Sequence, residues 1–325
     1  MLKKELKDFK ERLDPFIFEN LKAGQNKDFH NLITHQIKTG GKRLRPFMLH
    51  STCKALEGSR DALSEEAAIE VFHNYSLLLD DIIDRGEVRR GKPTSWKRYG
   101  LAATLCSSSF YFSTILNLLK DTPDTVVDIF VQETKNVMEG EFIDVLQDRV
   151  TESETPNLKS KYGLVNYDSY LEMIKKKTAA LFRACCGMGA KLADKDPQQA
   201  LDFGEFFGIS YQLRDDILDI FGDLNDFGKE IGKDIKEKKG GNIVLVFAIK
   251  ENPKIGKMIQ DSEIISDKET EQIINLIEKT DARKRAQDLV DEYAEKAMEK
   301  ISGFPRNNHT ENLFNLTKYI KVRKK

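Results

Sequence analysis

The sequence predicts an all-α protein. Proline is scarce, at 8 of 325 residues, and glycine is modest, at 20. Through most of the chain the apolar residues recur at spacings of three and four, the period of an amphipathic helix. No segment alternates as a multistranded sheet requires, and residues 242–248, which come nearest, fit a buried helix equally well. We therefore expect helices in one domain over residues 1–325.

Helix-breaking residues divide the chain into predicted helices of about 12 to 30 residues. Three of these helices begin at a capping signal: Ser64 before two glutamates, Asp168, and Asp196 before Pro197. The breakers are, in order, Asp14-Pro15, Gly40-Gly41, Arg45-Pro46, residues 91–93, Thr122-Pro123, Thr155-Pro156, Asp196-Pro197, residues 222–241, Asn252-Pro253 and Phe304-Pro305.

Charge and cysteine content exclude several classes of protein. Lys and Arg number 52 against 53 Asp and Glu. This balance lacks the basic excess of a nucleic-acid-binding protein, so no nucleic-acid partner is expected. The four cysteines form no CxxC pair, which disfavours disulfides and structural zinc. The N-terminus carries dense mixed charge rather than the apolar core of a secretory signal, and we expect a reducing cytoplasm.

The uncharged stretch over residues 99–119 is long enough to cross a bilayer. It contains four serines and two threonines, which would make a lone lipid-facing helix unfavourable. We expect a helix buried among other helices and no membrane span.

Two aspartate clusters carry the chemical signal. Asp80-Asp81-Ile82-Ile83-Asp84 and Asp215-Asp216-Ile217-Leu218-Asp219 each follow a strongly apolar helical turn, and the first and last aspartates share a helix face. Like charges 4 Å apart repel by about 4 kcal/mol at an effective dielectric constant near 20, so a cation is expected there. Carboxylates without Cys or His suit Mg²⁺, which commonly binds substrate phosphates as well.

Basic loops supply the charge that would complement a phosphate ligand. Residues 40–46 place Lys42, Arg43 and Arg45 after two glycines. Residues 89–94 follow the first aspartate cluster, and residues 228–234 follow the second. The implied ligand is a diphosphate or polyphosphate.

These motifs together resemble the trans-isoprenyl diphosphate synthases, also called polyprenyl synthetases. The matching strings are GGKRLRP at 40–46, HNYSLLLDDIIDRGEVRRGKPT at 73–94, Lys177-Thr178 and YQLRDDILD at 211–219. They occur in the family's order and spacing. The resemblance implies a single-domain helical bundle of the isoprenoid synthase type, with a deep central cavity, and a homodimer in which the helix over residues 99–119 could supply the contact surface.

The resemblance also implies the ligands of the allylic substrate. Three Mg²⁺ ions would hold its diphosphate. The expected metal ligands are Asp80, Asp84 and Asp215, with Asp81 and Asp219 nearby through water, and the cations expected on the same diphosphate are Arg89, Lys177, Lys229 and Lys239.

The second substrate would be isopentenyl diphosphate, and the matching pocket residues are Lys42, Arg45, His73 and Arg90. The implied reaction ionises the allylic C–O bond, and the double bond of isopentenyl diphosphate then attacks the carbocation. Stabilising the charge that develops on diphosphate lowers the barrier. Thr178, the Lys177 carbonyl and Gln212 match groups that stabilise the cation.

Product length is expected to depend on residues before the first aspartate cluster. Tyr75 is aromatic and Ser76 is small, a pattern that resembles geranylgeranyl (C20) synthases. In this family a bulky residue here forms the floor of the hydrocarbon channel, which is the end that stops chain growth. Tyr75 would be this floor, and Phe72 would be a second one. Farnesyl (C15) or longer-chain synthesis is the alternative. Terpene cyclases and an inactive partner subunit are remoter alternatives, since a cyclase needs no second anion pocket and inactive partners usually lose one aspartate cluster.

One stretch departs from the family pattern. Residues 237–243 replace the usual EGK-x-T-L-P run, so the loop after Asp234 could close differently. The family's Gly-Gln/Glu-x-x-Asp motif is present from Gly140 to Asp144, with Glu141 at the variable position.

Overall fold

The computed structural model describes residues 2–22, 24, 26–147, 165–222, 231–262 and 264–323. Its elements are helical apart from one two-residue hairpin, so the predicted all-α class is confirmed for this part of the chain. The elements are α1 (Leu2–Asn20), α2 (Lys27–Lys38), α3 (Leu44–Ala55), α4 (Leu63–Ile83), β1 (Val88–Arg89), β2 (Lys92–Pro93), α5 (Ser95–Tyr99), α6 (Leu101–Leu119), α7 (Asp124–Gln147), α8 (Tyr167–Ile174), a π-helical turn (Lys175–Ala179), α9 (Ala180–Leu192), α10 (Gln198–Phe221), α11 (Lys233–Lys236), α12 (Ile243–Glu251), α13 (Pro253–Asp261), α14 (Asp267–Ile277), α15 (Ala282–Ile301) and α16 (Asn308–Val322).

The chain forms two compact units. Unit 1 comprises Met1–Gln132, Leu181–Leu201 and Gly303–Leu316, and unit 2 comprises Glu133–Ala180, Asp202–Ser302 and Thr317–Lys325. The first aspartate cluster belongs to unit 1 and the second to unit 2.

Unit 1 is organised around α4, which packs against α1, α3 and α6. Fully buried side chains such as Leu13, Met48 and Tyr111 form its core. Each such side chain stabilises the fold by about 1.5–3 kcal/mol through removal of apolar surface from water. The buried Tyr111 hydroxyl donates to the Ile33 carbonyl at 2.5 Å, which fixes α6 to α2.

Unit 2 places α12 against α13 and α15. The Ser210 hydroxyl of α10 donates to the Val290 carbonyl of α15 at 2.9 Å. Asn242 caps α12 by accepting from the Val244 amide at 2.9 Å, so residues 242–248 form a buried helix and not a strand.

Four predicted boundaries differ in the structure. Arg45-Pro46 lies in the first turn of α3 and not between helices, because the first turn tolerates a residue without an amide hydrogen. Pro15 lies inside α1, where fully buried Leu13 and Ile17 hold the helix together despite the proline. Ser64 is not a cap, because α4 begins one residue earlier after Ala62. Asp168 lies in the first turn of α8, which is capped instead by Asn166 through a reciprocal pair of hydrogen bonds with Ser169.

The cap predicted at Asp196 is confirmed. Its carboxylate accepts from the Gln198 amide at 2.8 Å, at the start of α10. Pro197 lies immediately before α10 and not in its first turn, and its carbonyl accepts from the Leu201 amide at 2.8 Å.

Helix α6 is buried on one face only, so the expectation of a buried helix holds in part. Thr104, Ser107 and Tyr111 face the core, while Leu105 and Phe112 are 45% and 55% exposed. Within the described part of the chain, α6 has the length and composition of a bilayer-crossing segment. Of the apolar 18-residue stretch within this helix, 33% is buried inside the protein. A single helix of this kind is weak evidence for a membrane span.

Candidate active site

The first aspartate cluster lies at the C-terminal end of α4, where one arginine binds two of its carboxylates. The Arg89 Nη2 atom lies 2.8 Å from Asp80 Oδ2, and its Nε atom lies 2.8 Å from Asp81 Oδ1. Asp84 caps the helix one turn after Asp80. The structure thus brings together the metal ligands and the diphosphate cation that the sequence predicts for unit 1.

A short hairpin positions Arg89. Strands β1 and β2 are joined by Arg90 and Gly91, whose φ angles of 53° and 72° correspond to the tight turn that matches strand twist. The Gly86 carbonyl accepts from the Thr94 hydroxyl at 2.7 Å and from the Trp96 indole at 2.8 Å. These bonds fix both ends of the hairpin against the end of α4.

Asp81 differs from its neighbours in burial. It is 4% exposed, and Gln36 Nε2 lies 3.5 Å from its second oxygen. Burial raises the pKa of Asp81 to about 6, although Arg89 opposes the shift. The side chain of Asp80 is more open, at 21% exposed. Asp80 is therefore better placed than Asp81 to contact a metal ion directly.

Arg43 is not part of the anion pocket, which corrects the expectation of three cations on the glycine loop. It is 3% exposed and binds Asp14 at 2.7 Å and Glu70 at 3.0 Å. These two carboxylates already neutralise its charge inside unit 1. The other two cations of residues 40–46 differ in exposure: Lys42 is exposed and Arg45 is half-buried.

Arg45 and His73 lie together as predicted. Arg45 Nη1 lies 3.2 Å from His73 Nε2, and its guanidinium covers the Phe182 ring at 4.5 Å. Burial, followed by the charge of Arg45, lowers the pKa of His73 well below its usual value, so the ring is neutral and Nε2 accepts. Arg45 Nε is buried with no hydrogen-bond partner in the described ranges, which is a position suited to an anion.

The glycine loop brings Arg90 to the same part of unit 1. Arg90 donates to the Gly40 carbonyl. Gly41 has a φ of 138°, and a Cβ atom there would lie 2.8 Å from Arg43 Nη1 and 3.1 Å from Arg90 Nη1. Only glycine fits between the two guanidinium groups without strain.

The second cluster is divided among three different environments. Asp215 accepts from Arg323 at 2.7 Å, and its side chain is 27% exposed. Asp219 Oδ2 lies 3.2 Å from the Asp234 amide, at the start of α11. Asp216 is 2% exposed and points away from solvent.

Asp216 anchors a buried network that sequence analysis did not assign. It accepts from the Tyr170 hydroxyl at 2.7 Å, the Gln212 amide at 2.8 Å and the Ile243 backbone amide at 2.9 Å. Burial, and then Asp234, raise the pKa of Asp216 to about 8. Gln212 in turn accepts from the Thr178 hydroxyl at 2.8 Å. The network therefore fixes Gln212 and Thr178, both predicted site residues, relative to each other.

Lys177 lies in the π-helical turn, a form common at functional sites. Its Nζ atom lies 2.5 Å from Asp144 and 3.0 Å from Glu141. A Cβ atom on Gly140 would lie 2.1 Å from the Lys177 backbone nitrogen, so glycine permits this close approach. The sequence alone did not indicate what the motif at residues 140–144 contacts. In the structure two of its side chains, Glu141 and Asp144, bind Lys177.

The loop after the second cluster is described in part. Lys239 lies 3.7 Å from Glu237, and Lys238 adopts a left-handed φ of 55°. Lys229 lies outside the described residues.

The predicted length-determining residues form an aromatic group. The Phe72 ring lies 5.8 Å from that of Tyr75 and 5.7 Å, edge-on, from that of Phe130. Ser76 donates to the His73 carbonyl at 2.9 Å. Phe130 could not be found from the sequence, because its contact with Phe72 joins α4 and α7, which are far apart along the chain.

The donor set fits a hard divalent cation. In the ranges that the structure describes, no three or more His, Cys, Asp or Glu side chains gather to hold a metal ion by themselves. The half-buried carboxylates of Asp80 in unit 1 and of Asp215 in unit 2 are each the kind of ligand that suits Mg²⁺, which keeps several waters and takes other ligands from substrate phosphates.

Comparison with known proteins agrees with this geometry. The sequence pattern of the polyprenyl synthetase family matches residues 26–280. The chain is 30% identical over 315 residues to a geranylgeranyl diphosphate synthase of Saccharolobus solfataricus, covering 92% of this chain and 89% of that one. It is 31% identical over 299 residues to heptaprenyl diphosphate synthase component 2 of Bacillus subtilis, covering 89% and 81%.

A solved structure extends the agreement to the fold. The crystal structure of a polyprenyl synthase from Caulobacter crescentus, complexed with calcium and isoprenyl diphosphate, has a TM-score of 0.87 and 28% identity, covering 99% of this chain and 98% of that one. Enzymes of this family depend on a divalent metal ion and take isopentenyl and allylic diphosphates as substrates. The chain belongs to the polyprenyl synthetase family and is a prenyl transferase.

Proposed function

We propose that the protein is a Mg²⁺-dependent, head-to-tail prenyl transferase that joins isopentenyl diphosphate to an allylic diphosphate and releases diphosphate. The observation that carries this proposal is the pairing of acids with cations. Arg89 binds Asp80 and Asp81, Lys177 binds Glu141 and Asp144, and Arg323 binds Asp215. A metal ion on Asp80 would free Arg89 for a diphosphate anion.

The allylic diphosphate is proposed to bind Arg89, Lys177, Lys229 and Lys239. Mg²⁺ ions, three by resemblance to the family, would be held by Asp80, Asp84 and Asp215, with Asp81 and Asp219 nearby, and would supply Lewis-acid stabilisation of the leaving diphosphate. Bound cations lower the barrier to C–O ionisation because negative charge accumulates on diphosphate in the transition state.

Isopentenyl diphosphate is proposed to bind Lys42, Arg45, His73 and Arg90. The neutral His73 ring accepts from Arg45 and so orients its guanidinium. The double bond of this substrate attacks the allylic cation left when the C–O bond to diphosphate breaks, and a new C–C bond forms. The released diphosphate then takes the proton whose loss restores an alkene. Thr178, Gln212 and the Lys177 carbonyl present oxygen atoms that can stabilise the cation, and Asp216 holds Gln212 in place.

The product is proposed to be geranylgeranyl diphosphate (C20). Tyr75 and Phe72 pack against each other on α4, one to two turns before Asp80, where they would close the end of a hydrocarbon channel. Each methylene buried in such a channel contributes about 0.8 kcal/mol, so an aromatic floor limits length by excluding further units. A C15 or longer product would agree with the proposed reaction, but it would show that Tyr75 and Phe72 do not limit the product to C20.

The whole chain, residues 1–325, is proposed to act as one polyprenyl synthetase domain in a cytoplasmic homodimer. The exposed apolar residues of α6, including Leu105, Phe112 and Leu116, offer a dimer surface. The four cysteines are free thiols, as a reducing compartment permits. The Bacillus subtilis relative is named as a component, so analytical ultracentrifugation of the chain alone tests whether it self-associates or stays monomeric.

Diphosphate release tests the reaction class. We expect release to need Mg²⁺, isopentenyl diphosphate and an allylic diphosphate together, and to be lost in both Asp80→Asn and Asp215→Asn. Release from an allylic diphosphate alone would indicate a terpene cyclase instead. Absence of release under all conditions would indicate a non-catalytic partner subunit.

A further inference from the structure

The end of α16 places an arginine on the second aspartate cluster. Arg323 is 4% exposed. Its Nη2 atom lies 2.7 Å from Asp215 Oδ1 and 3.0 Å from the Tyr211 carbonyl, and its guanidinium lies 3.9 Å from the centre of the Tyr211 ring. The cation therefore contacts the carboxylate that opens the second aspartate motif, within unit 2.

The backbone of Arg323 is fixed independently of its side chain. The Arg323 carbonyl accepts from Arg214 Nε at 3.0 Å and from Arg214 Nη2 at 2.7 Å. Arg214 Nη1 also donates to Gln287 at 2.7 Å. Two residues earlier, Lys321 lies 3.3 Å from Asp291 of α15. The chain can thus keep its position on α10 and α15 when the guanidinium moves.

The guanidinium is incompletely satisfied where it lies. Arg323 Nε is buried with no hydrogen-bond partner among the residues that the structure describes. Arg214 brings a second positive charge close by, and burial followed by Arg323 lowers the pKa of Arg214. The positive charge of Arg214 repels that of Arg323, and this repulsion favours release of the Arg323 guanidinium from Asp215. Asp215, at 27% side-chain exposure, is the accessible member of the pair.

We propose that Arg323 is an internal counter-ion of Asp215, which a divalent metal ion must displace in order to bind this carboxylate. The inference rests on the proposed function, in which Asp215 is a metal ligand. A divalent ion on Asp215 would lie within a few ångströms of the Arg323 guanidinium, and repulsion between the two cations would favour departure of the guanidinium from Oδ1. Arg323 is a positioning residue in this proposal. It binds Asp215 in the absence of metal, and the strength of this ion pair sets the affinity of Asp215 for the metal ion.

The first test is Mn²⁺ binding, measured by electron paramagnetic resonance on the full chain without substrates. All proteins compared carry Asp80→Asn and Asp84→Asn, so that the first cluster does not contribute. We expect Arg323→Gln to bind Mn²⁺ about tenfold more tightly than the parent. Lys318→Gln, which removes an equal charge from an exposed position on α16, should leave the affinity unchanged. Equal affinities in the parent and Arg323→Gln would overturn the proposal.

A double-mutant comparison locates the effect. The gain from Arg323→Gln should disappear when Asp215→Asn is also present, because the carboxylate that links them is gone. An equal gain in the Asp215→Asn background would mean that Arg323 acts elsewhere. That outcome would contradict the role of Arg323 but not the proposed reaction, because metal-dependent elongation by the unmodified enzyme is measured in a separate experiment.

A second measurement needs no destabilising variant. In protein labelled with ¹⁵N-arginine, the Arg323 Nε signal is assigned as the one lost in Arg323→Lys. Mg²⁺ should shift this signal as the guanidinium leaves Asp215 and the Tyr211 ring. If Mg²⁺ supports catalysis while the Arg323 signal stays in place, the metal does not displace this arginine and the proposal fails.

Discussion

Arg89 bridges Asp80 and Asp81 through two different nitrogen atoms, each 2.8 Å from a carboxylate oxygen. This fork geometry belongs to arginine, because lysine presents a single point charge. The same guanidinium thus offsets part of the negative charge of Asp80 and Asp81, and it is the group proposed above to bind the diphosphate.

Replacing Arg89 should slow catalysis through the allylic substrate. We expect Arg89→Lys to lower kcat/KM by about 100-fold, the scale of losing one charge-stabilising donor, with little change in KM for isopentenyl diphosphate. Steady-state kinetics with each substrate varied in turn measures this. Arg98→Gln, an exposed arginine on α5, is the control. Wild-type kcat/KM in Arg89→Lys would show that the bridge has no catalytic role.

Gly41 should be required for isopentenyl diphosphate binding. A methyl group there would lie within 2.8–3.1 Å of the Arg43 and Arg90 guanidinium groups. We expect Gly41→Ala to raise KM for isopentenyl diphosphate about tenfold, since displacing a positioned group by an ångström is costly. Gly40→Ala is the matched control, because Gly40 also has positive φ but its Cβ position is empty to 4 Å. Equal effects of the two variants would attribute the loss to backbone strain alone.

Product length should respond to Tyr75 and Ser76 in opposite directions. Tyr75→Ala opens space beside Phe72 and should lengthen the product beyond C20, whereas Ser76→Phe should shorten it to C15. Reverse-phase chromatography of dephosphorylated products gives the carbon number. If Tyr75→Ala gives an unchanged product, Tyr75 does not limit chain length, and Phe72 and Phe130 are the next residues to substitute.

The Tyr170–Asp216 hydrogen bond should support both stability and site geometry. Tyr170→Phe leaves a buried carboxyl with one donor fewer, and we expect unfolding to cost about 1–3 kcal/mol less. Denaturant unfolding followed by circular dichroism measures the change. Tyr319→Phe, at a residue 39% exposed, should alter stability by less than about 0.5 kcal/mol. Equal stabilities of the two variants would contradict a structural role for the network.

Stability should fall at acid pH in part through His35. Burial lowers the pKa of His35, and its Nε2 atom donates to the Pro93 carbonyl at 2.8 Å. The folded state therefore favours the neutral ring. This contribution is present above about pH 6.5, the unfolded pKa, and is lost as pH falls toward the lower folded pKa.

The His35→Gln variant isolates this contribution, because glutamine can still donate to the Pro93 carbonyl. Thermal unfolding at pH 8 and pH 5.5 should show a smaller loss of Tm on acidification in the variant than in the wild type. Parallel losses would mean that His35 does not titrate differently on folding.

The aspartate motifs and their helices could be predicted because their evidence is local. Asp80 and Asp84 share a face by helical spacing, and the apolar turn before them signals burial. The burial of Arg43 could not be predicted, because its partners Asp14 and Glu70 lie 29 and 27 residues away. In sequence, Arg43 is indistinguishable from Lys42 and Arg45.

The second cluster shows the same limit. Asp215 and Asp216 are adjacent and identical, yet one accepts from Arg323, 108 residues away, and the other from Tyr170, 46 residues away. Helical geometry turns neighbouring residues about 100° apart, so their environments are set by whichever elements pack on each side. The spacing predicts the motif, and tertiary packing decides which carboxylate is accessible.

Chain elongation is the most direct test of the central claim. The purified protein is incubated with labelled isopentenyl diphosphate, Mg²⁺ and, separately, dimethylallyl, geranyl or farnesyl diphosphate, and the products are resolved by carbon number. We expect Mg²⁺-dependent elongation with C20 as the dominant product. Absence of any longer prenyl diphosphate from every primer, with the protein folded and metal present, would contradict the proposed function.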